Sequence, residues 1–269
     1  IGTDATGNSK NGADYQGSMA DFLMLVIVDK TENTYSFLQF NRDTMTEVAL
    51  IDHNGEGEAT ANIQLCTAHW YGGNREQSCE NTVKSVKKLL GGIQIDGYYE
   101  LNMSEIPKLN SMVDGVTVTL EDDFSKKYPK MKKGATINLD DEQAYAYVHD
   151  RYGVGDEENT SRMKRQQQYM TGFFKKLQEK VKANPNYANE VFESLQDVST
   201  TDIAIGKISN ISNIFASGTD KGIFELAGKS KIGQALGDEM DHMEFYVNKK
   251  AMVSTMSELF GIVEQKNKE

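Results

Sequence analysis

Two stretches carry residues whose types and spacing suit an anion with several oxygens: Tyr147-Val148-His149-Asp150-Arg151 and, after a loop, Ser161-Arg162-Met163-Lys164-Arg165-Gln166. A guanidinium is permanently charged and grips phosphate bidentately, and the first-turn N–H groups of a helix add positive potential. Arg151, Arg162, Arg165 and Gln166, brought to one loop and one helix N-terminus, would hold a pyrophosphate. The competing reading is a helix whose arginines pair with neighbouring carboxylates such as Asp156, Glu157 and Glu158.

The elements that must position these groups are written around them. Asp140 followed by Gln143 is a capping-box signal, and Ala144, Tyr147, Val148 and Arg151 follow at helical spacing, which predicts a short helix carrying Arg151 at its C-terminal end. A second helix starts near Asn159, Thr160 or Ser161. Met163, Met170, Phe174, Leu177 and Val181 form one face of it, and Arg162, Arg165, Gln166 and Tyr169 the other.

Upstream, Phe22 to Val28 is a continuous apolar run between Asp21 and Asp29, the pattern of a strand covered on both faces. Thr34 to Phe40 alternates as its neighbour after a turn at Lys30 to Asn33, and Asn41-Arg42-Asp43-Thr44 follows. Ligands collect at strand ends in open α/β sheets, so Asp4, Asp21, Arg42 and Asp43 are expected at one edge. Two carboxylates facing an arginine could hold magnesium (Mg2+) and a phosphate oxygen together. Each aspartate alone reads equally as a loop or capping residue.

Elsewhere, Ala5 to Ser18 and Leu50 to Ala61 read as loops, and Asn62 to Tyr71 as a short helix carrying His69 and the single tryptophan, Trp70, a core residue rather than a sugar platform. Cys79 to Leu90 is amphipathic and closed by Gly91-Gly92. Strands are expected at Ile93 to Leu101, Gly115 to Leu120 and Met243 to Asn248. Helices are expected at Met103 to Met112, Tyr187 to Gln196, Asp202 to Phe215 and Lys250 to Phe260. Such alternation favours a layered α/β fold, and with no repeat or linker the whole chain, 1–269, reads as one domain.

A net charge of -11 and a pI near 5.0 argue against a nucleic-acid partner, and a basic pocket in so acidic a chain is the more telling for it. No apolar run approaches the roughly 18 residues of a membrane span. There is no signal-peptide pattern at Ile1, and Ile-Gly-Thr-Asp reads like the end of a buried strand, so the true beginning is expected upstream. Cys66 and Cys79 are either a disulfide loop of an exported protein or free buried thiols; zinc bound through them and His69 would be short of a ligand.

Taken in order, Gly2-Thr3-Asp4, Asp21 before Phe22 to Val28, Arg42-Asp43-Thr44, Asp114-Gly115-Val116, Tyr147 to Arg151 and Arg162 to Gln166 resemble the LytR-CpsA-Psr cell-wall proteins of bacteria. Thr201-Asp202 and the ending around Ala251 to Phe260 are also similar to that family's later part. The resemblance implies a three-layer α/β/α sandwich around a mixed central sheet, with a lipid-holding cavity. It implies a magnesium-dependent phosphotransferase on the extracellular face of the cell membrane, moving a glycopolymer from a polyprenyl-pyrophosphate carrier to a peptidoglycan hydroxyl. Asp4 and Asp21 would hold Mg2+; Arg42, His149, Arg151, Arg162, Arg165 and Gln166 would bind pyrophosphate. Arg42, Asp43 and Arg151 would carry the chemistry, with Asp43 or Asp21 as the base that takes the acceptor's proton.

Two positions depart from the family's pattern: His149 stands where the first arginine of a paired Arg-x-Arg is expected, and Asn159 where an aspartate is common. A histidine there donates to phosphate most strongly when protonated. The resemblance also implies an N-terminal membrane anchor outside this chain, and an exported protein in which a Cys66–Cys79 disulfide would fit. Phe173, Phe174, Leu177, Ile106 and Leu109 are candidates either for lining a lipid cavity or for ordinary core. Two other activities are consistent with the same residues: a pyrophosphatase acting on the same lipid, and a non-catalytic binder of polyprenyl phosphates or wall glycan. An acidic chain without a helix-turn-helix signal is a poor transcription factor.

Overall fold

The computed structural model describes residues 1–4, 15–57 and 59–261, so the first part of the loop expected at Ala5 to Ser18 lies outside the described residues. In chain order the strands and helices are β1 (Gly2–Thr3), β2 (Ala20–Asp29), β3 (Thr34–Phe40), β4 (Met45–Ala49), β5 (Thr60–Gln64), α1 (Arg75–Leu89), β6 (Tyr99–Asn102) and α2 (Ile106–Met112). There follow β7 (Thr117–Thr119), β8 (Thr136–Asn138), α3 (Asp141–His149), α4 (Asn159–Ala183), α5 (Tyr187–Ser194) and β9 (Ser199–Thr201). The chain closes with α6 (Ile205–Ser217), β10 (Thr219–Glu225), β11 (Gly228–Gly233), β12 (His242–Val247) and α7 (Lys249–Phe260).

The central sheet has six strands in the order β10-β3-β2-β1-β6-β9. It is mixed: β10 with β3 and β1 with β6 are parallel, the other neighbours antiparallel. Side-chain alternation sends each strand's residues to two different helical layers. On one face Leu23, Leu25, Ile27, Leu38 and Phe40 pack with Val86 and Leu90 at α1 and Met252 and Met256 of α7. On the other face Phe37 stacks on Phe174 of α4 at 4.2 Å, Tyr35 meets Phe215 of α6, and Gln39 donates to Gln166 of α4 at 3.1 Å. These are the three layers expected.

The coverage of β2 differs from the expectation of a strand buried on both faces. Val26 shares the α4 side with Phe37, its partner in the β2/β3 register, yet is 53 % exposed. An apolar side chain thus lies open on a strand in the middle of the sheet. Phe173 and Ile106 are buried core, and Leu109, Phe174 and Leu177 pack against it, so these candidate cavity residues fill space rather than enclose it.

Register places one end of the sheet at the site. Gly2 pairs with Phe22 and Leu23 with Phe40, so the end of β1, the start of β2 and the end of β3 coincide. The segment before β2 is tied down from outside the sheet: Tyr15 donates to Ser78 Oγ at 2.7 Å, and a Cβ on Gly17 would fall 2.3 Å from the Trp70 carbonyl. Only glycine permits that approach. Met45–Ala49 and Thr60–Gln64 pair as a hairpin beside the site, and only a 3-10 turn at Leu65–His69 remains of the helix expected at Asn62 to Tyr71. Trp70 follows it, 42 % exposed and outside the core to which it was assigned.

Candidate active site

The capping box at Asp140 forms as read: Asp140 accepts from Gln143 N at 2.9 Å while the Gln143 side chain accepts from Asp140 N. The helix it starts ends at His149, two residues earlier than expected, because Asp150 is already extended. Arg151 therefore sits on the following loop. Helix α4 begins at Asn159, and both of its faces are buried in the first turns, Arg162, Arg165 and Gln166 as well as Met163.

At the centre one carboxylate oxygen faces two guanidiniums. Asp21 Oδ1 accepts from Arg42 Nη1 and from Arg162 Nη2, the latter at 2.9 Å. Burial alone would raise the Asp21 pKa, but Arg42 and Arg162 overcome it and hold the group at about 2. Asp4, at the end of β1, is its hydrogen-bonding neighbour. Arg42 Nη2 has only soft acceptors, Met19 Sδ at 2.9 Å and Cys66 Sγ at 3.3 Å, and its Nε stands 3.6 Å from Asp43 Oδ1. Among the described residues the Nε atoms of Arg42 and Arg162 are buried without a hydrogen-bond partner, as is that of Arg75. Unpartnered buried donors are costly, and two of them here flank one carboxylate, Asp21.

Asp43 behaves differently from Asp21. Burial pushes its carboxyl above the usual range, against the pull of Arg42, Arg162 and Arg151. Arg151 follows His149, whose Nε2 lies 3.0 Å from Asp4 at the end of β1, beside the start of β2 that carries Asp21, so it stands towards the edge where Arg42 lies although the chain separates them widely. The Arg151 guanidinium lies 4.5 Å over the Tyr152 ring and donates to its hydroxyl.

His149 supplies the charge missing from its position. Its Nδ1 lies 3.3 Å from Asp150 and its Nε2 3.0 Å from Asp4, and the ring stacks on Tyr145 at 4.6 Å. Hydrogen bonds to Asp150 and then Asp4 raise its pKa to about 9, so the imidazole is a cation at neutral pH.

Two residues expected at the pyrophosphate have other work. Arg165 is almost fully buried; its Nε donates to Tyr147 O at 2.9 Å, Nη1 to Asp122 at 2.5 Å and Nη2 to Asp150 O. Gln166 donates to Val148 O at 3.1 Å and accepts from Gln39. Both tie α4 to the last turn of α3 and so hold His149 and Arg151 in place. The competing reading holds in part: Asp156 accepts from Ser161 at 2.8 Å and Glu157 from Gly153 N at 2.8 Å, but Arg162 does pair with a carboxylate, Asp21, and Arg165 with Asp122.

Sequence reasoning missed an amide bridge. Asn159 Nδ2 donates to Asn41 Oδ1 at 3.1 Å, Asn159 Oδ1 accepts from Arg162 Nη2 at 2.8 Å, and Asn41 Oδ1 accepts from Asp43 N at 2.9 Å. This links the loop after β3 to the first turn of α4. An aspartate at 159 could accept but not donate, so the amide is suited to this arrangement. The only local signal was Asn41 opening the loop.

Both cysteines are free and buried, so the disulfide is not formed. Cys66 faces Arg42, while Cys79 Sγ lies 3.7 Å from His69 Nε2, whose Nδ1 is 3.0 Å from Ser18 O. Among the described residues no group of three or more His, Cys, Asp or Glu could hold a metal ion. The adjacent pair Asp4 and Asp21 nevertheless suits Mg2+, which keeps waters and is commonly bound by one or two carboxylates plus substrate phosphates. Among the described residues no helix is long and apolar enough to cross a membrane.

Comparison with known proteins agrees with this fold. A sequence model of the LytR_cpsA_psr family matches residues 1–260. Among solved structures, gbs0355 from Streptococcus agalactiae is 21 % identical, with a TM-score of 0.74 over 96 % of this chain and 84 % of that one. B. subtilis TagV is 20 % identical, with a TM-score of 0.68 over 98 % and 95 %. TagT bound to LI-WTA is 20 % identical, with a TM-score of 0.69 over 97 % and 87 %. Among curated proteins none matches. With the family's model spanning nearly the whole chain, and the same fold in its solved members, this protein belongs to the LytR-CpsA-Psr family of cell-wall glycopolymer transferases.

Proposed function

We propose that this chain transfers a glycopolymer from a polyprenyl-pyrophosphate carrier to a peptidoglycan hydroxyl at the outer face of the cell membrane, with Mg2+ as its metal and an anchor preceding the chain. The observation that carries the reading is the pair of buried, unpartnered Nε donors on Arg42 and Arg162, in a cluster with Arg151 and protonated His149. A pyrophosphate supplies the acceptor oxygens this cluster lacks. The exposed Val26 lies on β2, the strand that Asp21 helps to open, and offers apolar surface to a lipid tail leaving the pyrophosphate. The relative bound to LI-WTA supports a glycopolymer donor.

In this reading the acceptor oxygen attacks the phosphorus that bears the glycan. The bond from that phosphorus to the bridging oxygen breaks, and polyprenyl phosphate leaves. Asp43 takes the hydroxyl proton: burial pushes its carboxyl above the usual range, whereas Asp21, held at about 2, is the poorer base. Arg42, Arg162 and Arg151 neutralise charge on the phosphoryl oxygens. Asp4 and Asp21 would hold Mg2+, which when bound supplies further charge neutralisation at the pyrophosphate. Arg165, Gln166 and the Asn41–Asn159 bridge keep the cradle's two halves in register.

The test is transfer from a lipid-pyrophosphate-linked glycan to peptidoglycan fragments in Mg2+. Arg42→Ala or Arg162→Ala should lower turnover by about a hundredfold or more, on the scale of losing one preorganised donor, with Arg42→Ala leaving the circular-dichroism melt close to wild type. Phosphate release without acceptor would instead identify a pyrophosphatase, and tight binding without turnover a non-catalytic binder.

A further inference from the structure

Tyr152 is 75 % exposed, against 42 % for Trp70 and 38 % for Tyr246, the other large aromatic side chains left in solvent. A single exposed aromatic normally needs no explanation, but this one is held out by a pinned loop. Val154 is buried, Gly153 N donates to Glu157 at 2.8 Å, and Val154 N donates to Arg151 O at 3.3 Å. Gly155 has φ +56, and a Cβ there would lie 2.5 Å from Asp122, the carboxylate that Arg165 holds. The loop cannot fold Tyr152 inward without giving up these contacts.

One face of the ring carries the Arg151 guanidinium at 4.5 Å, and the rest is open. Arg151 in turn is two residues from His149, whose Nε2 lies 3.0 Å from Asp4 at the cradle. The order in space is therefore phosphate cradle, guanidinium, aromatic ring. With its phosphate on Arg151, a sugar joined to that phosphorus through one oxygen would lie beside the ring that Arg151 covers. Its C–H groups carry partial positive charge and suit the negative face of an aromatic ring, while its hydroxyls remain in water.

Resting on the donor assignment above, we propose that Tyr152 is the platform for the first sugar of the pyrophosphate-linked glycan and so discriminates glycan-bearing donors from bare carrier lipid. The lipid and pyrophosphate are held elsewhere, by Val26 and the arginines, so the ring's contribution is separable from theirs.

The experiment is isothermal titration of wild type, Tyr152→Ala and Tyr152→Phe in Mg2+ with two probes, farnesyl pyrophosphate and the same lipid pyrophosphate carrying one hexosamine. Tyr152→Ala should weaken the sugar-bearing probe about tenfold, the scale of one aromatic contact, and the bare probe by less than about twofold. Tyr152→Phe keeps the ring face but loses the hydroxyl that accepts from Arg151, and should bind both probes like wild type. Equal losses on the two probes would show that the ring only holds Arg151, and no loss on either that it does nothing; both overturn the proposal. Failure of wild type to bind either probe would overturn the donor assignment, and this proposal with it.

Discussion

Asp21 meets the guanidiniums of Arg42 and Arg162 with a single oxygen, as a phosphate oxygen would. In the proposed reading it would be an internal competitor for the anion as well as half of the metal pair. Asp21→Asn is therefore expected to tighten inorganic pyrophosphate binding in metal-free buffer by about tenfold, the scale of hydrogen bonds to charged groups; calorimetry showing unchanged or weaker binding would contradict this. His149 makes the opposite kind of statement. Hydrogen bonds to Asp150 and Asp4 raise its pKa from 6.5 to about 9, so the stabilisation it contributes is complete below 6.5 and is lost as pH rises through about 9. In the metal-free protein its imidazole resonances should titrate near 9, falling towards 6.5 in Asp150→Asn; a titration near 6.5 in the wild type would remove the cation from the site at neutral pH.

At the scale of elements, what was legible was local. The capping box before α3, the start of α4 and the strand pair β2/β3 are written in adjacent residues, and they bring Asp4, Asp21, Arg42 and Asp43 to one edge as read. Short or interrupted strands were not legible: β10 is broken by a left-handed Gly222 and pairs only with β3, and β8 has three residues. The face of α4 misled for a different reason. Arginines look alike in sequence whether they line a ligand site or a buried joint, and only packing shows that Arg165 binds Tyr147 O, Asp150 O and Asp122. The Asn41–Asn159 bridge spans 118 residues and leaves no periodic trace. Arg165→Ala is expected to cost roughly 3 kcal/mol in a denaturant melt, since it strands buried acceptors of α3; a melt within about 0.5 kcal/mol of wild type would return Arg165 to the ligand.

For the whole molecule, a cationic cradle in a chain of net charge -11 opens at one end of the central sheet, whose strand β2 carries the exposed Val26. Together they are the two features the proposed lipid-pyrophosphate donor would use. Val26→Asp should weaken farnesyl pyrophosphate by about tenfold or more through loss of chain burial and leave inorganic pyrophosphate unchanged in the same titration; equal losses would mean that the chain does not lie on β2. The most direct measurement is a density map of the protein with Mg2+ and farnesyl pyrophosphate. The account predicts two phosphates within hydrogen-bonding distance of Arg42 Nε and Arg162 Nε, Asp21 turned from the guanidiniums towards the metal, and the lipid lying over Val26. Pyrophosphate bound elsewhere, with Asp21 still joined to both arginines, would contradict it.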